Sequence, residues 1–566
     1  MRNLKRISKS FFLASALGLG IPCSGQINSL EFIGLIDSAS SYTASGKWSE
    51  AMDLWKKVTQ VNPLRADFWL NLGDASYNNK HYQGATQAYK MAFTLGSELP
   101  CFRAMNIAQC YAKLRDRSNC FTWLKTAISQ GYPYLDDLLQ DSVLSKYYAY
   151  PEFKELLWMK GRFSSRTEGW IYDLDFLDWQ IKRVAYNPYR RYSQHDFARE
   201  TARIRQQILR GASDMQVTSS FVRLLAMVGD GHTKLYAFYE KKKLRMMVPL
   251  FLQFFRDGLF IVAADKSHAD LVQCKIDSVD GIAIDSVIRK LVPYINFDNS
   301  NWINNASMVR LQNPAFLYSI GLIRSPEYYS ISASTPFGQK VTRRIYGVER
   351  DSSTILDWTI PAGFVKMNAP GLLREKNGDK NYWFEYLPNE KTLYFKFNRT
   401  FDDQDESLAS FSRRMISYVD SADVKKFVID LRDNSGGNVF LVDSLVKIIA
   451  SNRKINKKGS LFCLIGPIVF SAAQMFAVFL ETGTNVIFAG EPTGSSPNFI
   501  GETGLFHLPY SGLAGSISNL FWEYSGAYDR RTWIAPQLLV YSFFNSRLQG
   551  RDEALEAVLS YGGTSK

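Results

Sequence analysis

Histidine and cysteine are scarce in this chain, with five and six respectively among 566 residues. The cysteines (Cys23, Cys101, Cys110, Cys120, Cys274 and Cys463) are too dispersed for a disulfide framework and match no metal-ligand spacing. Core thiols are the plain reading, with a Cys110–Cys120 disulfide between neighbouring helices as the alternative. No metal or cofactor is expected. Beyond Phe11 to Ile21, no apolar run is long enough for a membrane helix, and that run is itself short for a bilayer. Basic residues are scattered, apart from Lys241–Lys243, and form no nucleic-acid motif. These absences argue against a disulfide scaffold, a metal-ligand motif, a further membrane-spanning helix and a nucleic-acid motif.

What is present begins with a leader. Arg2, Lys5, Arg6 and Lys9 precede the Phe11–Ile21 run, and Cys23-Ser24-Gly25 offers a small-residue cleavage site before Gln26. Residues 1–25 therefore read as a signal peptide and the protein as exported, periplasmic or secreted. A lipid anchor on Cys23 is the less favoured alternative, because Pro22 fits a lipobox poorly. The formal net charge is +13, and the chain stays basic without the four leader cations, which suits an anionic envelope surface.

The remaining length suggests several domains. In residues 26–160, Gly46-Lys47-Trp48-Ser49-Glu50-Ala51 is echoed by Lys80-His81-Tyr82-Gln83-Gly84-Ala85 and again near Ser118-Asn119-Cys120. The offset of about 34 residues fits the tetratricopeptide pattern. Such arrays bind peptides or partner proteins, or serve as helical spacers. Residues 165–240 read as a helical cap. Residues 241–375 turn β-rich, with a PDZ-like strand and turn at Cys274–Ala283 or a structural β-insert. Residues 376–566 read as an α/β core.

Three segments of that core carry chemistry. In the first, the strand Leu461–Ile465 meets a turn, then helical spacing begins at Ser471-Ala472-Ala473. A serine there faces the unpaired N–H groups and dipole of a helix N-terminus, which suits a nucleophile whose attack creates an oxyanion. The plain alternative is an N-cap. In the second, the strand at Phe427–Asp430 runs through Leu431-Arg432-Asp433-Asn434-Ser435 into Gly436-Gly437, whose backbone N–H groups can face an anion. In the third, the strand at Val486–Ala489 enters the loop Gly490-Glu491-Pro492-Thr493-Gly494.

Together these segments resemble the core of the tail-specific, or C-terminal-processing, serine peptidases. The resemblance covers roughly Tyr382 to Leu559 and implies an α/β peptidase core behind the helical array, cap and β-insert. One branch of that superfamily pairs serine with a lysine after Gly-Glu-Pro-Thr; here the slot is Ser496, and no lysine lies between Ser471 and Lys566. The other, tricorn-core-like branch uses histidine, and Asp230-Gly231-His232-Thr233 matches its signature. The resemblance thus implies Ser471 as nucleophile, His232 as base, and Gly436, Gly437 and Ala472 as oxyanion donors. His81 and His507 read as structural. An ordinary histidine pKa near 6.5 places the base's titration close to neutral pH.

Two departures from the branch stand out. A serine that usually precedes the histidine is Gly231, and the expected carboxylate falls one position off, at Asp529, beside Arg530 and Arg531. Asp529 either orients His232 or only pairs with its arginines; another acid such as Glu502 is the alternative orienter. Gln537 stands where the family often has Asp. The expected function is an exported serine peptidase acting on a peptide or protein substrate. The alternatives are a catalytically inactive peptide- or protein-binding scaffold and, third, a binder of apolar ligands.

Overall fold

The structure, a computed structural model, describes residues 28–236, 246–350 and 360–562. The leader, Cys23 and Lys241–Lys243 lie outside the described residues. The described chain divides into two units, one of residues up to Tyr132 with Asp141–Tyr148, the other of Pro133–Gln140 with the chain from Ala149 on.

In the first unit, α1 (Ser29–Ala44), α2 (Trp48–Val61), α3 (Ala66–Asn78), α4 (Tyr82–Thr94), α5 (Pro100–Lys113) and α6 (Arg117–Ser129) pack each on the next. The small residues that mark the sequence repeat explain the spacing. Ala51 and Ala85 are fully buried, and a side chain on Gly73 would meet the Tyr89 ring at 2.5 Å. Cys110 and Cys120 are free buried thiols, so the thiol reading holds and no disulfide links them; burial pushes both up to about 12.

The second unit contains helices α7 (Arg166–Val184), α8 (Gln194–Leu209) and α9 (Asp214–Ala226). Ser193 with Asp196, and Ser213 with Gln216, form capping boxes that fix the starts of α8 and α9. The chain leaves α9 through Asp230-Gly231-His232-Thr233 into a short strand, β1 (Lys234–Leu235). The β-rich region contains β2 (Leu250–Phe255), β3 (Gly258–Ala264), β4 (Lys275–Val279), β5 (Tyr328–Ser334), β6 (Lys340–Tyr346) and β7 (Val365–Lys366) in one sheet, ordered β7-β3-β4-β5-β6 with β2 on β3.

The C-terminal region is an α/β layer structure. Its strands are β8 (Tyr382–Leu387), β9 (Thr392–Phe397), β10 (Lys426–Asp430), β11 (Leu461–Ile465), β12 (Ile487–Gly490) and, after the hairpin β13 (Phe499–His507) and β14 (Ala514–Trp522), β15 (Leu538–Leu539). The sheet runs β8-β9-β10-β11-β12-β15, antiparallel at β8–β9 and parallel thereafter. Alternate residues explain why both faces are covered. Phe427, Ile429, Leu461 and Cys463 pack against α10 (Leu408–Ser421), α11 (Val442–Ser451) and α12 (Ser471–Gly483). Val428, Phe462 and Leu464 pack with Ala554, Leu555 and Val558 of α13 (Glu553–Ser560) on the other face. The hairpin forms a separate small sheet, β1-β14-β13, which brings the His232 loop to the region after β12.

A buried charge cluster braces the loop after β10. Asp430 accepts hydrogen bonds from Arg432 at 2.7 Å and from the Tyr394 hydroxyl at 2.6 Å. Arg432 reaches on to Asp552 at the cap of α13 through two bonds of 2.7 Å. Asp433 accepts from Lys396 and Arg374, each at 2.6 Å. Burial opposes the charge on Asp430, yet Arg432 and Lys396 hold its carboxyl well below the usual carboxylate range. The Ile-Asp-Leu-Arg element is therefore an anchor that fixes where the Gly-Gly turn begins. Among the described residues no helix is long and apolar enough to cross a membrane.

Candidate active site

Ser471 opens α12 but is not its N-cap. That position belongs to Phe470, whose carbonyl accepts from Ala473 and Gln474. Ser471 itself has φ 53°, a left-handed conformation that costs a non-glycine residue on the order of 1–3 kcal/mol. Its hydroxyl makes no hydrogen bond to any described residue. It lines a cavity of about 300 Å³ shared with His232, Gly437, Ala472, Glu502 and Trp522.

The Gly-Gly turn approaches Ser471 closely. Gly436 has φ 117°, and a side chain there would meet Ser471 Cβ at 2.7 Å and the Ala472 nitrogen at 3.0 Å. Gly437 has φ 141°, and a side chain would strike the Thr400 carbonyl oxygen at 2.3 Å. Only glycine fits either position. The Gly436 N–H donates to Asn434 Oδ1 at 2.9 Å, and its carbonyl accepts from Thr400. Of the three expected oxyanion donors, Gly436 is thus committed internally and serves instead by its lack of a side chain. The N–H groups of Gly437 and of Ala472, in the first turn of α12, have no acceptor among the described residues and border the cavity.

His232 is held from behind. Asp230, fully buried, accepts from the backbone N–H groups of His232 at 2.8 Å and Thr233 at 2.6 Å, from the Thr233 hydroxyl at 2.8 Å and from Ser518 Oγ at 2.9 Å. Asp298 accepts from the Gly231 N–H at 3.0 Å and from Ser495 Oγ at 2.6 Å. The imidazole lies between two phenylalanines, 4.7 Å from the Phe470 ring centre and 5.6 Å from that of Phe499, the latter nearly parallel at 9°. Trp302 backs Phe470 at 4.7 Å. Gly231 is explained by the same clamp: a side chain there would reach Phe470 at 2.3 Å, so the space of the usual serine is taken by an aromatic ring.

This apolar setting moves the titration expected near neutral pH. Burial pushes His232 down to about 4, aided by Lys234, while the Asp230 carboxylate and a bond with the Ile500 backbone pull the other way. The ring is neutral above that value and can accept a proton. Its Nδ1 is buried without a hydrogen-bond partner among the described residues. No hydrogen bond joins the ring to Ser471, although both line the one cavity.

Of the five histidines, the other four lie away from this cavity. His81 caps α4, His195 lies in the first turn of α8, His268 pairs with Asp265, and His507 pairs with Asp136. Asp529 is also outside the cavity lining. Its carboxylate is held by Ser525 and by Arg531, which in turn pairs with Glu481; Arg531, first among these influences, holds it well below the usual carboxylate range. Ser496 donates to the Thr532 carbonyl. Gln537 accepts from the Phe488 N–H and so braces β12. Sequence reasoning missed Asp298, Phe470, Phe499 and Trp302 as supports of the histidine.

No protein-family description and no curated protein matches the chain. Among solved structures, mature CPAF complexed with lactacystin is similar at a TM-score of 0.51 and 15% identity, over 69% of this chain and 98% of that one. A serine-to-alanine mutant of CPAF is similar at 0.50 and 14%, over 71% and 99%. The photosystem II D1 C-terminal processing protease is similar at 0.35 and 11%, over 70% and 98%. Over the matched part of the chain the fold is that of CPAF. At these identities the likeness concerns the fold alone.

Proposed function

We propose that this chain is an exported serine peptidase of the tail-specific kind, using histidine rather than lysine. The observation that carries the reading is the convergence of Ser471, His232 and the N–H groups of Gly437 and Ala472 on one cavity. Ser471 Oγ attacks the substrate carbonyl carbon as its proton passes to the His232 imidazole. The carbonyl oxygen gains charge and is held by the two N–H groups and the N-terminal dipole of α12. The C–N bond breaks as His232 returns the proton to the leaving amine. Water, deprotonated by His232, then hydrolyses the ester and frees Ser471. The lysine route has no support, because Ser496 fills that slot.

The leader supports export, and the helix pairs of residues 28–129 support a tetratricopeptide array able to hold a peptide or partner protein. Incubating the purified chain with a peptide mixture tests the reading. Cleavage that Ser471→Ala abolishes is expected, and cleavage surviving in that variant refutes it. A second reading, an inactive peptide-binding scaffold, is favoured by the missing Ser471–His232 hydrogen bond and the unpartnered Nδ1. Catalytic hydrogen bonds are often long in unliganded enzymes and tighten when substrate binds, so the peptidase reading is preferred. Peptide binding without any cleavage identifies the scaffold.

A further inference from the structure

Ten non-glycine residues among those described have a left-handed backbone, and two of them, Ser471 and Glu502, line the same cavity. Glu502 lies in β13. The pairs Gly501–Leu520 and Thr503–Ser518 keep one register on either side, while Glu502 itself is unpaired at φ 54°. Glu502 lines the cavity. There it is exposed, with no ion pair or side-chain hydrogen bond to any described residue. It is the one carboxylate or cation among the residues lining the cavity, whose walls include Val439, Met475 and Trp522. His232, in the same lining, is neutral above about pH 4.

We infer that Glu502 sets specificity, selecting peptides with lysine or arginine beside the scissile bond. This rests on the peptidase reading above. A long cationic side chain suits such a place. Its methylene stem lies on the apolar wall and its charged tip meets an unpaired carboxylate, which strengthens as the peptide excludes water. Orienting His232 is the competing role for the same carboxylate. The structure disfavours it, since Glu502 makes no hydrogen bond to the ring and Nδ1 has no partner.

The test digests a proteome-derived peptide library with the wild type, Glu502→Gln, Glu502→Gly and Glu502→Lys, and reads residue frequencies around each cut by mass spectrometry. Fluorophosphonate labelling of Ser471 is measured in parallel. Glu502→Gly relaxes the backbone, so it guards against misfolding of the other two. In the wild type, lysine and arginine are expected to be enriched about tenfold at one position flanking the cut, as a charge-assisted pair allows. The enrichment disappears in Glu502→Gln and Glu502→Gly, and aspartate or glutamate replaces it in Glu502→Lys. A profile identical in all four proteins overturns the proposal, as does a uniform loss of cutting in Glu502→Gln with the profile intact, which places Glu502 on His232 instead. A wild type whose Ser471 does not label overturns the peptidase reading and this proposal with it. Labelling without basic selectivity overturns the proposal alone.

Discussion

The imidazole of His232 lies parallel to the ring of Phe499, 5.6 Å away with 9° between the planes. That contact, with Phe470 on the other side, strips water from the base. Its effect is to keep the ring neutral down to about pH 4, where an exposed histidine would be half protonated near 6.5. In the proposed mechanism the neutral ring is the proton acceptor. Activity of the free enzyme, read as kcat/KM, is therefore expected to hold through pH 6 and to fall as pH drops through about 4. Phe499→Leu admits water and moves that acid limb upward toward 6.5. A wild-type limb at 6 to 7 would show the clamp does not set the base.

Strain at Ser471, the proposed nucleophile, gives a second expectation. Ser471 adopts φ 53°, a region glycine enters without penalty. Ser471→Gly is expected to stabilise the fold by about 1 kcal/mol while abolishing hydrolysis. Ser471→Ala keeps the strain and leaves Tm near the wild-type value. Thermal melts of the two variants separate the backbone effect from loss of the hydroxyl. Equal melting temperatures would remove strain from the account.

Asp298 behaves oppositely to His232. Burial raises its carboxyl to about 6, against the Ser495 hydrogen bond that favours the charged form. A folded pKa raised above the unfolded one contributes stability that is complete below about 4 and is lost as pH rises through about 6. Asp298→Asn keeps an acceptor for the Gly231 N–H and carries no charge. It is expected to melt higher than the wild type above pH 6, with the gain fading below pH 4. Denaturant unfolding at pH 4 and pH 7 checks the sign.

Asp529 is expected to matter little for turnover. Its partners are Ser525 and Arg531, and Arg531 is also held by Glu481. An ion pair with a half-exposed partner is worth about 1 kcal/mol at most. Asp529→Asn should leave kcat within about twofold of the wild type. A loss of a hundredfold or more would restore Asp529 as the group that orients the histidine.

Local pattern carried much of this into the sequence. The strand Leu461–Ile465 is legible as an apolar run, and the turn before Ser471 is legible from the change of period. Gly436 and Gly437 are legible because a positive φ leaves glycine almost alone. The histidine is legible through Asp230 to Thr233, where Asp230 accepts from the N–H groups of His232 and Thr233 just two and three residues on. What stayed hidden arises from contacts far apart in the chain. Asp298 supports Gly231, Trp302 backs Phe470, and Asp552 receives Arg432, none with a periodic or motif signal. The left-handed backbone at Glu502, where β13 and β14 leave one residue unpaired, is also illegible in the sequence. The depressed histidine pKa follows from the aromatic clamp and shares its invisibility.

The central claim is that Ser471 is a nucleophile activated by His232. Fluorophosphonate labelling of the wild type, Ser471→Ala and His232→Ala, followed by peptide mapping, tests it most directly. The expected result is one adduct on Ser471 in the wild type, none in Ser471→Ala, and labelling slowed by about 10³-fold or more in His232→Ala. An adduct on a different residue, or labelling of Ser471 at an unchanged rate without His232, would contradict it.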